Sequence, residues 1–137
     1  MRAGRRVTEL RVALTVADFD QALAFYRDAL RLEQAADWSS ESGRVVLLEA
    51  GRATIELLDE AQSGVVDAIE TGRRVSGPVR LALEVTDSED TARQLVAAGA
   101  EQVAAPVTTP WGDRNARVQA PDGMQLTLFT PGEVTPA

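Results

Sequence analysis

The sequence predicts a single α+β domain made of two tandem βαβββ units. The segment Arg11–Asp18 returns as Arg80–Asp87, with Arg, Ala, Leu, Val and Asp at matching places. A repeat of this kind indicates two similar supersecondary units that pack against each other. In both copies an alternation of apolar and polar residues, typical of a half-buried strand, is followed by helical spacing. The 137 residues are enough for one compact domain, so residues 1–137 are assigned to it.

The first unit, residues 8–58, opens with alternating apolar and polar residues, which predict a half-buried strand. Asp18 then stands where a helix N-cap is needed, and apolar residues from Phe19 onward recur at helical spacing. A segment around Trp38 and a polar turn lead to a hairpin of two further strands. The strand, the helix and the hairpin strands are expected at residues 8–16, 19–31, 44–49 and 53–58.

Residues 59–78 are polar and contain glycine turns, so they are predicted to be a linker in which a short helix could run from Val65 to Ile69. The second unit, residues 79–129, repeats the plan, with Asp87 as N-cap and Gly99 as helix terminator. Its helix is expected at residues 88–98. Its strands are expected at residues 80–85, 102–107, 114–119 and 124–129, with a hairpin turn at Pro121-Asp122-Gly123. Residues 130–137 are predicted to be a frayed tail.

Composition excludes several classes of function. A net charge of −7 and a pI near 4.6 argue against a nucleic-acid or anionic-membrane partner, because phosphate binding depends on basic patches. The sequence has no apolar run near the roughly 20 residues needed to cross a bilayer. The basic start Met1–Arg6 is followed by an amphipathic strand rather than by the apolar region of a secretory signal. A cytoplasmic location is therefore expected.

The chain lacks His, Cys and Lys, so all 14 of its basic residues are Arg. Without these side chains there is no imidazole base, no thiolate nucleophile or metal ligand and no Schiff-base amine. Carboxylates, hydroxyls, guanidinium groups and the backbone are what remains for chemistry.

The motifs resemble those of the vicinal oxygen chelate superfamily, which includes glyoxalase I, extradiol dioxygenases and bleomycin-resistance proteins. The matching residues are Val16, Asp18, Ala22, Phe25 and Tyr26 in the first unit and Pro121, Asp122 and Gly123 near the end. The resemblance covers roughly residues 8–129 and implies a cupped half-barrel sheet with helices outside, in a homodimer that completes or borders the cup. Whether each cup is built by one chain or by two exchanged chains stays open.

In metal-dependent members of this superfamily, the first and last strands of each unit supply four ligands to a divalent ion in the cup. The positions that match are Arg11, Glu56, Arg80 and Thr127. Only Glu56 is a competent ligand, because a charged guanidinium has no lone pair to offer and an isolated hydroxyl is a poor anchor. This departure from the family's ligand pattern therefore predicts a metal-free cup.

Strand alternation independently turns the same positions toward the cup. The aromatic residues Trp38 and Trp111 join them, since residues 109–114 are similar to the Trp-Gly loop that borders the cavity in many members. Aromatic walls suit planar ligands, although both tryptophans could instead close the core and a dimer seam. The predicted ligand-binding residues are Arg11, Trp38, Glu56, Arg80, Glu84, Trp111, Thr127 and Phe129.

The two arginines leave two interpretations open. They could pair with Glu56 and Glu84 across the half-barrels, or one guanidinium could stay free to hold a ligand carboxylate, phosphate or phenolate. Glu56 could also act as a general acid or base if the cup is dry enough to raise its pKa, although nearby arginines are expected to lower it.

Three functions compete. The favoured one is a metal-free, cofactor-free binding protein of the bleomycin-resistance type that sequesters an aromatic or anionic small molecule. The second is an enzyme (an isomerase, a lyase or a dioxygenase-like protein) that uses Glu56 as acid or base, or a hard ion such as Mg²⁺ or Mn²⁺ held by Glu56, Glu84 and Gln125. The third is an accessory protein with a vestigial cup.

Overall fold

The computed structural model describes residues 7–132, which form one curled, open, eight-stranded sheet with three helices. The strands are β1 Val7–Val16, β2 Gln34–Asp37, β3 Val45–Ala50, β4 Ala53–Asp59, β5 Val79–Val85, β6 Glu101–Thr108, β7 Arg114–Gln119 and β8 Gln125–Thr130. The helices are α1 Phe19–Leu23, α2 Glu60–Thr71 and α3 Ser88–Ala97. The predicted α+β class with a cupped sheet is confirmed. The predictions for residues 1–6 and for the tail beyond Gly132 lie outside the described residues.

The strand order β2-β3-β4-β1-β5-β8-β7-β6 displays the internal repeat. Within each unit the first and last strands pair in parallel, β1 with β4 and β5 with β8. The two units meet where β1 and β5 run antiparallel, in a register that places Arg11 opposite Ala82 and Ala13 opposite Arg80. Both arginines therefore lie at the centre of the sheet, where the halves join. Both halves of this single chain contribute strands to the one sheet that forms the cup.

Helices α1 and α3 cover one face of the sheet. The first packs Phe19 and Leu23 against β3 and β4, and the second packs Ala92 against β7 and β8. The predicted caps are present, since the carboxylates of Asp18 and Asp87 accept hydrogen bonds from backbone amides three residues on.

The predicted first helix, residues 19–31, differs from the observed one, because α1 continues as a π-helical turn over Ala24–Ala29. In this turn the amide of Leu30 donates to the carbonyl of Phe25. The turn leaves Phe25 62% exposed, while the neighbouring Tyr26 packs on the core.

The segment predicted as a linker contains a larger element than expected. Helix α2 has 12 residues, Asp59 as N-cap and the left-handed Gly72 as C-cap. It lies on the other face of the sheet, where Val66 packs with Ala13 and with residues of β3 and β4. The Oγ atoms of Ser63 and Thr15 lie 2.6 Å apart. Helix α2 therefore occupies part of the cup that the sequence predicted to be open.

Across residues 7–132, no helix is long and apolar enough to cross a membrane.

Candidate functional site

The concave face of the sheet and helix α2 enclose a cavity of about 570 Å³. Seven of the eight residues predicted from the sequence line it; Glu84 does not. The lining residues are Arg11, Trp38, Val45, Glu56, Leu58, Gln62, Val66, Glu70, Arg80, Ala82, Trp111, Asp113, Asn115, Thr127 and Phe129. The strand residues among them, predicted from the alternation of side chains along each strand, lie up to 118 positions apart in the sequence.

Arg80 is a buried cation in the wall of the cavity. The residue is 6% exposed, and among residues 7–132 the one hydrogen bond of its side chain runs from Nη1 to the Oγ1 of Thr127 at 2.9 Å. Within residues 7–132 no carboxylate oxygen lies within 4 Å of it. None of its unpartnered nitrogens is sealed from solvent either, so they face the cavity. A guanidinium carries five N–H donors, and Thr127 accepts from one nitrogen of this one, so donors remain for a ligand that enters the cavity.

Arg11, by contrast, is held by its own surroundings. Its Nε pairs with the carboxylate of Glu9 on the same strand. Its guanidinium carbon lies 5.3 Å from the ring centroid of Trp38 and 4.7 Å from that of Phe129. Two cation–π contacts and one ion pair therefore fix this side chain in the cavity wall.

Glu56 lies beside these arginines on β4 and has no hydrogen bond or ion pair among the described residues. Burial raises the pKa of its carboxyl above the ordinary value, although the charges of Arg80 and Arg11 act in the opposite direction. The arginines act in the expected direction, but their effect on the pKa is outweighed by desolvation, because neither guanidinium comes within 4 Å of the carboxylate. The neutral carboxyl is a hydrogen-bond donor, and the ionised one is a stronger base than usual.

The predicted pairing of Arg11 and Arg80 with Glu56 and Glu84 across the half-barrels is absent from residues 7–132. Glu84 has the predicted parity but lies near the end of β5, where it accepts a hydrogen bond of 2.6 Å from Thr8. It therefore belongs to the seam between β1 and β5 rather than to the cavity.

A buried polar network borders the cavity beside Arg80. The Thr127 hydroxyl donates to Glu70 at 3.0 Å and accepts from Arg80 and from the Nε of Arg117. Arg117 is fully buried and pairs with Glu70 at 2.9 Å and with Asp67 at 3.2 Å. Because a hydroxyl has one proton and two lone pairs, Thr127 has no capacity left. The network joins β5, β7 and β8 to helix α2.

Sequence reasoning missed Asp67, Glu70, Asn115 and Arg117. Two of them alternate with the apolar Ala116 and Val118 along β7, so parity applied to that strand would have pointed them into the cup. The two acidic residues belong to α2, a segment that the sequence predicts to be a polar linker with at most a short helix from Val65 to Ile69. Asn115 Nδ2 donates to Glu70 at 3.0 Å, which ties it to the same network.

The family's divalent ion does not fit these residues. Arg11 and Arg80 offer no lone pairs, and both lone pairs of the Thr127 hydroxyl already accept hydrogen bonds. The alternative set of Glu56, Glu84 and Gln125 is also not assembled, since Glu84 bonds to Thr8 and the Gln125 amide is held by Arg117 and Val75. Residues 7–132 contain no group of three or more acidic side chains that could hold a metal ion.

Comparisons with known proteins agree with this fold. A sequence model of the Glyoxalase/Bleomycin resistance protein/Dioxygenase superfamily matches residues 10–128. A search of curated proteins finds no significant match. Among solved structures, methylmalonyl-CoA epimerase from Mycobacterium tuberculosis is 24% identical with a TM-score of 0.65, covering 96% of this chain and 93% of that one.

Two other solved structures are similar to the same extent. A variant of Streptomyces coelicolor methylmalonyl-CoA epimerase in complex with 2-nitronate-propionyl-CoA is 19% identical with a TM-score of 0.65, covering 97% of this chain and 100% of that one. A hypothetical protein from Bacillus halodurans C-125 is 18% identical with a TM-score of 0.66, covering 93% and 96%. These likenesses support the fold.

Proposed function

The chain belongs to the glyoxalase/bleomycin resistance protein/dioxygenase superfamily, and within it we propose a metal-free binding protein that holds a small anionic ligand with a flat apolar body. The proposal keeps the binding role of bleomycin-resistance proteins. It assigns the ligand to the cavity between the sheet and helix α2.

The observation that carries the proposal is the buried, unpaired guanidinium of Arg80. A charge taken out of water without a counter-ion is costly. Arg80 is 6% exposed, and in the described part of the chain a hydroxyl is the single partner of its side chain. An anion that enters the cavity supplies the missing charge and accepts the free N–H groups, in the two-pronged geometry that suits a carboxylate.

The aromatic side chains support a flat ligand. Trp38 and Trp111, both about half exposed, line the cavity together with the buried Phe129. The indole nitrogen of Trp111 donates to Asp113 at 3.0 Å, which orients its ring. Arg11 is stacked between two of these rings, so the wall is built before a ligand arrives.

Binding can be followed without a label, because both tryptophans of the chain line the cavity. We expect benzoate to change the intrinsic fluorescence and to bind at least about tenfold more tightly than the neutral benzamide, as a charged hydrogen-bonded pair requires. Arg80→Met should weaken benzoate binding by a similar factor, whereas Arg93→Met, at an exposed position of α3, should not.

Equal binding of benzoate and benzamide by the unaltered protein would contradict the proposal. That comparison needs no variant, so it remains valid even if Arg80→Met fails to fold.

The raised pKa of Glu56 favours a second candidate function, proton transfer. In this alternative the ionised carboxylate removes a proton from a carbon next to a carbonyl group. The electron pair of the C–H bond then moves onto the carbonyl oxygen, which Arg80 stabilises. The solved epimerase structures with the same fold make methylmalonyl-CoA a reasonable probe. A homodimer and a cytoplasmic location are part of both proposals.

A further inference from the structure

We propose that the cavity selects singly charged anions, so that it takes a carboxylate with a flat apolar body and rejects a dianion such as a phosphate monoester. The inference rests on the proposed function, because it specifies the ligand of the same cavity. The basis of the inference is the number of unpaired charged groups that line the cavity.

Two arginines line the cavity, but one of them is already neutralised. Glu9 pairs with Arg11 through the guanidinium Nε, and the rings of Trp38 and Phe129 stack on the same guanidinium. Arg11 therefore forms part of the cavity wall, but its positive charge is already paired with Glu9 on the same strand.

The other nearby cations are neutralised as well. Arg117 lies behind Thr127 and pairs with both Glu70 and Asp67, with none of its side chain exposed. Arg74 pairs with Asp67 and Glu60. Within residues 7–132, Arg80 is then the one cation that faces the cavity without a carboxylate within 4 Å.

The remaining charged residues of the wall are acidic. Glu56, Glu70 and Asp113 all line the cavity. Glu70 is paired with Arg117, but within residues 7–132 Glu56 and Asp113 have no cation within 4 Å, so a second negative charge on the ligand meets like charges and finds no free cation. One negative charge is matched by Arg80. Guanidinium binds phosphate as readily as carboxylate when geometry alone decides, so the selectivity arises from charge and not from shape.

The test compares benzoate with phenyl phosphate at pH 8, where the phosphate monoester is a dianion because its second pKa is about 6. Tryptophan fluorescence measures both affinities. We expect benzoate to bind at least about tenfold more tightly, in line with one unmatched like-charge contact. At pH 5, where phenyl phosphate is mostly a monoanion, the ratio of the two affinities should approach one.

A variant that gains function sharpens the test. Glu9→Gln removes the counter-ion of Arg11 and leaves its two stacking rings in place, so a second free cation should face the cavity. We expect this variant to improve phenyl phosphate binding by about fivefold or more relative to benzoate. Glu101→Gln, at an exposed position of β6, changes the net charge equally and should leave the ratio unchanged.

The possible results distinguish the proposed selectivity from the proposed binding function. Tighter binding of phenyl phosphate than of benzoate at pH 8 would overturn the selectivity while the binding function stands. A ratio that is the same in Glu9→Gln and in Glu101→Gln would overturn the assignment of the Arg11 charge to Glu9. Failure of both probes to bind would overturn the proposed function and this inference with it.

Discussion

Arg11 and Arg80 occupy matching positions of the repeat, yet their neighbours give them different roles. Arg11 has a carboxylate partner and two aromatic rings, so it is part of the wall. Arg80 has a hydroxyl partner and open space, so its charge is available to a ligand. At the scale of single residues, the role of each arginine is therefore determined less by its residue type than by the atoms that its guanidinium contacts.

The same scale limits what the sequence could reveal about the site. Parity along the strands placed Arg11, Glu56, Arg80, Thr127 and Phe129 on one face, because successive side chains of a strand alternate. It could not reveal the partners, since these depend on where the ends of long side chains reach. Glu84 illustrates the difference: its face was predicted, but Thr8 holds its carboxylate.

The second candidate function makes a prediction for one residue. If Glu56 transfers protons, the protein should speed the incorporation of deuterium from D2O into methylmalonyl-CoA, and Glu56→Gln should slow it by about 100-fold or more. The replacement keeps the size of the side chain but removes the base. Mass spectrometry measures the exchange, with Glu49→Gln at an exposed position as control. Exchange no faster than without protein would exclude the role for this substrate.

Among the elements, helix α2 shows why a local pattern can mislead. Its buried face carries Ser63, Asp67 and Glu70 beside Val66, so it has little of the apolar periodicity by which helices are recognised. Asp67 and Glu70 are buried because Arg117 and the loop after the helix supply their hydrogen bonds, and Ser63 bonds to Thr15. The strands were predicted well because their buried faces are apolar, with Leu48, Leu57 and Leu128 completely covered.

The attachment of α2 predicts a dependence of stability on pH. Burial alone would raise the pKa of Asp67, but hydrogen bonds from Ser76 and Val75 and the charge of Arg117 hold it well below its usual range. A carboxylate with a lowered pKa stabilises the fold above its unfolded pKa, about 3.9. This contribution declines as the pH falls from there toward the folded pKa.

Asp67→Asn should therefore lower the free energy of unfolding at pH 7 by roughly 3 kcal/mol, as expected when a buried ion pair loses one partner. The difference from the unaltered protein should shrink by about 1 kcal/mol between pH 5 and pH 3. Urea denaturation at each pH measures both quantities. Asp28→Asn, whose side chain is 58% exposed, provides the control. A difference that stays constant with pH would show that the Asp67 charge is not what holds α2.

At the scale of the whole molecule, the two units share one sheet through the pairing of β1 with β5. The repeat of Arg11–Asp18 as Arg80–Asp87 indicated two units, and the βαβββ order followed from alternation and caps. The sequence left open whether one chain or two would complete a cup. That question depends on long-range pairing, and a register that joins residues about 70 positions apart leaves no local pattern to read.

This shared sheet predicts that the halves unfold together. Each half contains one tryptophan, Trp38 or Trp111, so Trp38→Phe and Trp111→Phe yield proteins that report on one half each. We expect the urea midpoints from fluorescence and from circular dichroism to coincide within each variant. Both side chains are about half exposed, so the substitutions should disturb stability little. Fluorescence midpoints that depart from those of circular dichroism would indicate that the halves unfold independently.

The internal repeat also bears on the direction in which a ligand lies. Two identical units that meet at a central strand pair would form a symmetric cup, with the same side chains at both ends. The copies have diverged beside the arginines, since Glu9 of the first unit corresponds to Pro78 of the second. The side chain of proline carries no carboxylate, so among the described residues Arg80 lacks the counter-ion that Arg11 has. One pair of diverged positions thus makes the two ends of a duplicated, nearly symmetric cup different. A ligand with a charged head and an apolar body can therefore bind in only one orientation.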